Sequence, residues 1–436
     1  MVTKTVIKSA NKCETNNKLV TGAVDTGNEP EDKPPSSKVF GNLGEEPPGK
    51  AVSGRHRLFG HVPDSVWNDW RWHFRNRITT VEQLAKYIPL SDREKADISL
   101  VTKRYPLAIT PYYLSLINPE DPEDPVRKQA VPSILEIAMG GMGLADPLDE
   151  EKDSVVPGLV HRYPDRVLMV LTDICSMLCR HCTRKREWHN GGWVRSAAEF
   201  EAMLDYISAH KEVRDVIISG GDPLTLSTER LEEVISQVRA IPHVEIIRLG
   251  TRFPVVLPQR IDRELCDMLS KYGPIWLNTH FNTVREITPE AALAADRLLR
   301  AGVPVNNQCV LLRGINDTLE AQKALCLGLL KIKVRPYYLF QCDEVQGTEH
   351  LRTPVEVGIK LIEGLRGHTS GLAVPTFVVD LVQGGGKVPL QANYVLSHSE
   401  DELLLKNYEG NSYAYPDKVR PGENSTEEPV LLNFQI

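Results

Sequence analysis

No apolar run in this 436-residue chain approaches the ~18–20 residues that a membrane span needs. The first residues also lack the hydrophobic core of a secretory signal. There is no polybasic stretch, and the formal net charge is −7, so neither a nucleic-acid surface nor an anionic-membrane surface is expected. Eight cysteines without an export signal read as reduced thiols, not as a disulfide framework, and the expected compartment is the cytoplasm. No cysteine follows Cys342.

Three of the thiols are crowded together. Cys175, Cys179 and Cys182 stand at CxxxCxxC spacing, directly after the apolar run Val167–Leu171. That run reads as a buried strand, which puts the cysteines in the loop at its C-terminal end. Three soft thiolates in eight residues suit an iron–sulfur cluster better than a structural zinc, which takes four closed ligands. A cubane held by three cysteines keeps one iron open for a ligand. The blander readings are a zinc knuckle completed by His181 or His189, or three incidental thiols.

Residues 1–50 are rich in Lys, Glu, Asn, Pro, Gly and Ser and read as a mobile tail, because they cannot bury enough surface to offset ordering entropy. A helical domain is expected over 51–150. Trp67, Trp70 and Trp72 read there as core or interface anchors, the alternative being a stacking surface for a ligand. Thr80 with Gln83 and Ser91 with Glu94 mark capped helix starts, and Asn118–Pro125 reads as an exposed loop.

From 151 to 345 strands and helices alternate. The strands are expected at 167–173, 215–219, 244–250, 275–280, 304–312 and 334–341. Helices fill the gaps at 197–210, 228–240, 261–272, 289–301 and 318–331. Thr288 before Pro289 is an N-cap, and Asp317 with Glu320 reads as a capping box. A closed TIM barrel has eight such units. Six at roughly 30-residue spacing predict an α/β fold, an open partial (βα)6 TIM-like barrel, with function at the C-terminal strand ends. Residues 346–436 form a C-terminal extension. Within it, Gly384-Gly385-Gly386-Lys387 lacks the spacing of a phosphate-binding P-loop.

The cysteine motif, with His181 as a ring residue before the third cysteine, resembles the radical S-adenosylmethionine enzymes. Cys179-Arg180-His181-Cys182-Thr183-Arg184-Lys185-Arg186 is similar to the lysine 2,3-aminomutase branch, and the likeness runs from His161 to about Tyr394. The resemblance implies a [4Fe-4S] cluster on Cys175, Cys179 and Cys182. S-adenosylmethionine would then contact His181, Gly220, Gly221, Asp222, His280 and Gln308. It further implies pyridoxal 5′-phosphate joined to Lys387, beside Arg162, Tyr163 and Arg166. The substrate carboxylate would meet Arg184, and its distal ammonium Asp343 and Asp380.

The reaction so implied interconverts L-α-lysine and β-lysine, through a 5′-deoxyadenosyl radical acting on the substrate aldimine. Arginine 2,3-aminomutase, or a non-catalytic iron–sulfur protein, are the alternatives. The expected partners are lysine, an electron donor such as flavodoxin or ferredoxin, and a second copy of the chain, a dimer being favoured over the tetramer usual in the family. Two departures stand out. Thr283-Val284 replaces a His-Pro common in the family, and the C-terminal cysteines that hold structural zinc in many members are missing, so no zinc is expected.

Overall fold

Thr80 and Ser91 each close a capping box, with Gln83 and Glu94 respectively, and so start the helices Val81–Leu84 and Asp92–Thr102 where the sequence places them. The computed structural model describes residues 54–417 apart from 140, 190 and 400, so the expected tail at 1–50 lies outside the described residues. Trp67 and Trp70 are buried and Trp72 packs against them, as expected of core anchors. The loop 118–125 departs from expectation at Pro119 and Asp124, which are buried, and at Pro125, which opens the helix Pro125–Ala130. Asp124 is fully buried, because its Oδ1 accepts from the backbone N–H groups of Val126 and Arg127, and its Oδ2 pairs with Arg285.

One sheet positions the site. Its ten strands follow one another in chain order: β1 (Ser154–Val156), β2 (Leu159–Tyr163), β3 (Arg166–Val170), β4 (Asp215–Ser219), β5 (Ile246–Gly250), β6 (Ile275–Thr279), β7 (Val305–Leu311), β8 (Arg335–Gln341), β9 (Thr376–Leu381) and β10 (Gly386–Pro389). Strands β3 to β9 pair in parallel, while β1, β2 and β10 are antiparallel additions at the two edges. The parallel set therefore holds seven strands, one more than the six expected. The extra strand is Thr376–Leu381, whose apolar run is short and whose crossover is the helix Val355–Leu365. A separate small sheet is formed by β11 (Val395–His398), β12 (Glu402–Lys406) and β13 (Ser412–Pro416).

Helices between the parallel strands fall at Ala197–Ala209, Thr228–Arg239, Arg263–Leu269, Pro289–Arg300 and Leu319–Lys331. Thr288 caps its helix as expected. The cap of the last one is Thr318, whose hydroxyl accepts from Ala321 N–H, and not Asp317; the third helical residue is then Ala321, which has no polar side chain to reach back, so the expected capping box does not form. Among the described residues, no helix is long and apolar enough to cross a membrane.

Alternation along the strands explains how this sheet makes both a core and a cavity. In β3, β4 and β5 the residues Val167, Met169, Val216, Ile218, Ile247 and Leu249 are buried in the core. Each such side chain contributes on the order of 1.5–3 kcal/mol. Their neighbours in sequence, among them Leu168, Val170, Ile217, Ser219 and Arg248, line the cavity on the other face. The core is continuous with that of the N-terminal helices, since Trp67, Leu84, Val101 and Tyr113 are as deeply buried as the strand residues.

Candidate active site

A cavity of about 650 Å³ lies on the inner face of the sheet, against the loops at the C-terminal strand ends. Every residue assigned to a site from the sequence lines it: Arg162, Tyr163, Arg166, Cys175, Cys179, His181, Cys182, Arg184, Gly220, Gly221, Asp222, His280, Gln308, Asp343, Asp380 and Lys387. Residues up to 225 positions apart in the chain thus face one space, in roughly the volume range of a cofactor pocket.

The cysteine loop is pinned by the N-terminal helices. Arg77 donates to the Cys175 carbonyl at 2.6 Å, Leu178 N–H to the Ala108 carbonyl at 3.0 Å, and Arg180 N–H to the Gln129 carbonyl at 2.9 Å. The fully buried Arg180 forms an ion pair with the fully buried Glu136, which also accepts from Lys185 at 2.8 Å. Burial works to raise the Glu136 carboxyl, but Arg180 and Lys185 hold it below the usual carboxylate range. Removing one member of such a group is expected to cost several kcal/mol.

All three cysteines are free thiols. Burial, and then the neighbouring thiol of Cys182, pushes Cys175 well up; burial followed by Cys179 also raises Cys182. Three thiolates in one dry pocket repel, and a cationic iron cluster relieves that repulsion. Among the described residues, no three His, Cys, Asp or Glu side chains converge on the position of one ion. Three soft thiolates lining one cavity are the donor type that an iron–sulfur cluster takes. The donor set therefore fits a cluster held by three cysteines.

Glycines 220 and 221 end β4 against the start of the cysteine loop. Gly220 has φ +145°, and a Cβ on either glycine would collide with backbone of residues 172–174. Asp222 is buried, and burial raises it to about 7. Its oxygens accept from the Thr251 hydroxyl and from the backbone N–H of Arg252 and Leu224, so its carboxylate is committed to tying two loops together.

His280 donates from Nδ1 to the Gln308 carbonyl at 2.6 Å, and burial lowers its pKa to about 4. His181, likewise held neutral by burial, has no partner for Nδ1. An unsatisfied buried ring nitrogen beside the cysteines fits a polar ligand there.

Lys387 lies directly across from Asp380 in the β9–β10 ladder, with Nζ 2.9 Å from Oδ1. The turn before it runs through left-handed φ values at Gln383 (58°), Gly384 (73°) and Gly386 (82°), a path that favours glycine. Tyr163 Oη accepts the Lys387 backbone N–H at 3.1 Å, and the Arg166 guanidinium stacks 3.9 Å above the Tyr163 ring. Arg162 donates to Asp153 at 2.7 Å and to the Leu148 carbonyl, beneath the glycine turn. An amine beside a glycine-rich turn, with the guanidinium groups of Arg162 on β2 and Arg166 on β3 lining the same cavity, fits an aldehyde cofactor that carries a phosphate. Asp343 completes this end, raised to about 7 by burial and then by the charge of Asp380.

Two residues of the site were missed from the sequence. Glu150 holds Arg184 through Nε at 2.9 Å and Nη2 at 2.6 Å, and accepts from Arg186 at 2.9 Å; despite burial, Arg184 and Arg186 bring it down to about 2. With Arg184 Nη1 also donating to the Gly220 carbonyl, one hydrogen on each Nη is left for another carboxylate. Glu150 belongs to an acidic run that resembles a turn. The second is Arg252, just past the end of β5, where its strand-end position was the available signal.

A parallel sheet whose first parallel strand delivers three cysteines into a cavity at the strand ends defines a radical S-adenosylmethionine protein. The "Radical SAM superfamily" model matches residues 169–321. The "Lysine-2,3-aminomutase" model matches residues 362–431. L-lysine 2,3-aminomutase of Clostridium subterminale is 55% identical over 375 residues, covering 86% of this chain and 90% of that one. The enzyme of the same name from Fusobacterium nucleatum is 52% identical, covering 87% and 88%. Glutamate 2,3-aminomutase of Clostridioides difficile is 44% identical, covering 81% and 83%. The chain belongs to the lysine 2,3-aminomutase family.

Proposed function

We propose that the chain is an isomerase that interconverts L-α-lysine and β-lysine. The observation that carries this reading is the charge layout of one cavity: a guanidinium fork at Arg184, and the carboxylates of Asp343 and Asp380 beside Lys387. An amino acid with a cationic side chain has the complementary charges at its two ends.

When bound, the [4Fe-4S] cluster with S-adenosylmethionine supplies one-electron hydrogen abstraction, and pyridoxal 5′-phosphate supplies the carbonyl carbon on which the amino nitrogen migrates. Cys175, Cys179 and Cys182 hold the first. His181, His280, Gln308 and the backbone of Gly220–Asp222 border the second. Lys387, Arg162, Tyr163 and Arg166 receive the third. Arg184, oriented by Glu150, grips the substrate carboxylate end-on. Asp343 and Asp380 hold the distal ammonium, and in its absence Asp380 holds Lys387. Because both ends are fixed, the reacting carbon is confined to one position in the cavity, and the buried loops exclude water.

The open ten-stranded sheet is read as a partial barrel, with 51–150 as a helical domain and 346–436 as the segment that carries Lys387. Cytoplasmic placement is supported by free thiols at all seven described cysteines. A flavodoxin- or ferredoxin-class donor would supply the electron, and a dimer is the proposed assembly. The test is turnover by anaerobically reconstituted protein, comparing lysine, arginine and glutamate. Lysine is expected to react fastest, and faster reaction of either other amino acid overturns the assignment.

A further inference from the structure

Among the described residues, two hydrogen bonds reach the three cysteine sulfurs. One is the backbone N–H of Arg184 on Cys182 at 3.3 Å. The other comes from a charged side chain: Arg252 Nη1 donates to Cys179 Sγ at 2.9 Å. From this geometry we propose that Arg252, balanced by Glu286, sets the reduction potential of the three-cysteine centre. The inference rests on the proposed reading only in requiring that these cysteines bind a cluster.

Arg252 is unusually constrained. Its Nε donates to the His280 carbonyl at 3.0 Å, and its Nη2 donates to Gln129 Oε1 at 2.5 Å and to Glu286 Oε1 at 2.8 Å. Its backbone N–H is held by Asp222 at 2.8 Å. The guanidinium therefore cannot swing off the sulfur, and arginine does not lose its proton in proteins. Glu286 is fully buried and equally fixed: Oε1 also accepts from the Tyr113 hydroxyl at 2.6 Å, and Oε2 accepts from the backbone N–H of Asn282 at 2.6 Å and of Thr283 at 3.0 Å. A fixed cation thus touches the sulfur, with its counter-charge one step behind.

A buried ion pair of this kind is weak evidence for stability, since desolvation offsets most of the attraction. Its placement matters electrostatically. Reduction adds one electron from an external low-potential donor to the cluster, with no bond made or broken, and makes the thiolate–iron unit more anionic. A cationic N–H donor on Cys179 favours that more anionic state, so it raises the potential; the Glu286 carboxylate opposes it.

The two residues therefore have opposite signs, which a purely structural pair would not. The experiment is a mediated dithionite titration followed by electron paramagnetic resonance, on reconstituted full-length protein without S-adenosylmethionine. Iron content is measured in parallel. Arg252→Gln is expected to shift the midpoint to a more negative value, Glu286→Gln to a more positive one, and Arg252→Lys to lie between wild type and Arg252→Gln. Unchanged potentials, or shifts of the same sign in Arg252→Gln and Glu286→Gln, overturn the inference. Should Arg252→Gln lose its cluster, Glu286→Gln decides alone: a positive shift supports the inference, and no shift or a negative one overturns it. Wild-type protein that binds no iron would instead overturn the proposed function, a result that iron analysis reveals before any titration.

Discussion

Replacing Asp343 with Asn separates the cost of the substrate pocket from its use. The carboxyl is raised from 3.8 to about 7, first by burial and then by Asp380. Three units at about 1.36 kcal/mol each make ~4 kcal/mol, the order by which the folded pocket resists ionisation of this group. A raised pKa means stability that is fully present below the ordinary carboxylate range and lost as pH rises through about 7. Asn resembles the protonated acid and titrates nowhere. At about pH 3.5, below the unfolded value of 3.8, the variant and the wild type should therefore unfold alike. At pH 8 the variant should be the more stable, and even if relaxation removes half the figure, ~2 kcal/mol remains, worth a few degrees in Tm.

Lysine turnover should move the other way. Bringing an ammonium out of water with one carboxylate where two are needed costs on the order of 3–5 kcal/mol, or about a hundredfold or more in kcat/KM. Wild-type kcat/KM for lysine should also rise with pH as Asp343 ionises, a limb that Asp343→Asn should lack. Calorimetry at both pH values and a pH–rate profile check this. Equal Tm values at pH 8 would refute the repulsion argument, and unchanged lysine kinetics would refute the ammonium assignment.

Cys179→Ala should lose most of the roughly four irons per chain expected after reconstitution, and with them S-adenosylmethionine cleavage; a fully active variant would remove the radical reading. Borohydride reduction should trap the pyridoxyl group on Lys387, and Lys387→Ala should lose the associated absorbance; label found on another lysine would displace the assignment. Glu150→Gln should leave iron content intact but free Arg184 from its carboxylate. Loss of charge-assisted hydrogen bonds worth about 1.5–3 kcal/mol should then lower kcat/KM about tenfold or more, mainly through KM; unchanged KM would make Glu150 a bystander.

What was legible in the sequence was local or repeated. Five crossover helices, the capping boxes at Thr80 and Ser91, and the cysteine loop after β3 all follow from patterns within a few residues. The seventh parallel strand was hidden because Asp380 interrupts the apolar run inside Thr376–Leu381 and leaves Phe377–Val379 as its only unbroken apolar stretch. The cap at Thr318 was displaced by one residue because Asp317 and Thr318 are both good caps, and only the helix register chooses between them. Arg252 and Glu150 were illegible for a different reason. Arg252 acquires its meaning from Gln129, Cys179 and Glu286, none closer than 34 residues away, and Glu150 meets Arg184 only when the chain before β1 folds back over the cysteine loop. Such pairings leave no periodic trace.

The same long-range pairing explains how one framework distinguishes substrates. Lysine and glutamate share a carboxylate and an α-amino group, so in the proposed site Arg184 and Lys387 would treat the two alike near the reacting carbon. The difference lies at the far end. A distal ammonium between Asp343 and Asp380 would offset the burial, and then the charge of Asp380, that together hold Asp343 near 7. A distal carboxylate there would be a third anion in a largely buried space, with Lys387 as the nearby cation that Asp380 already holds at 2.9 Å. Like charges so placed cost several kcal/mol. On the proposed assignment, discrimination against an acidic side chain would therefore come from negative charge present before any substrate binds, and that charge, not a tighter fit, would favour lysine.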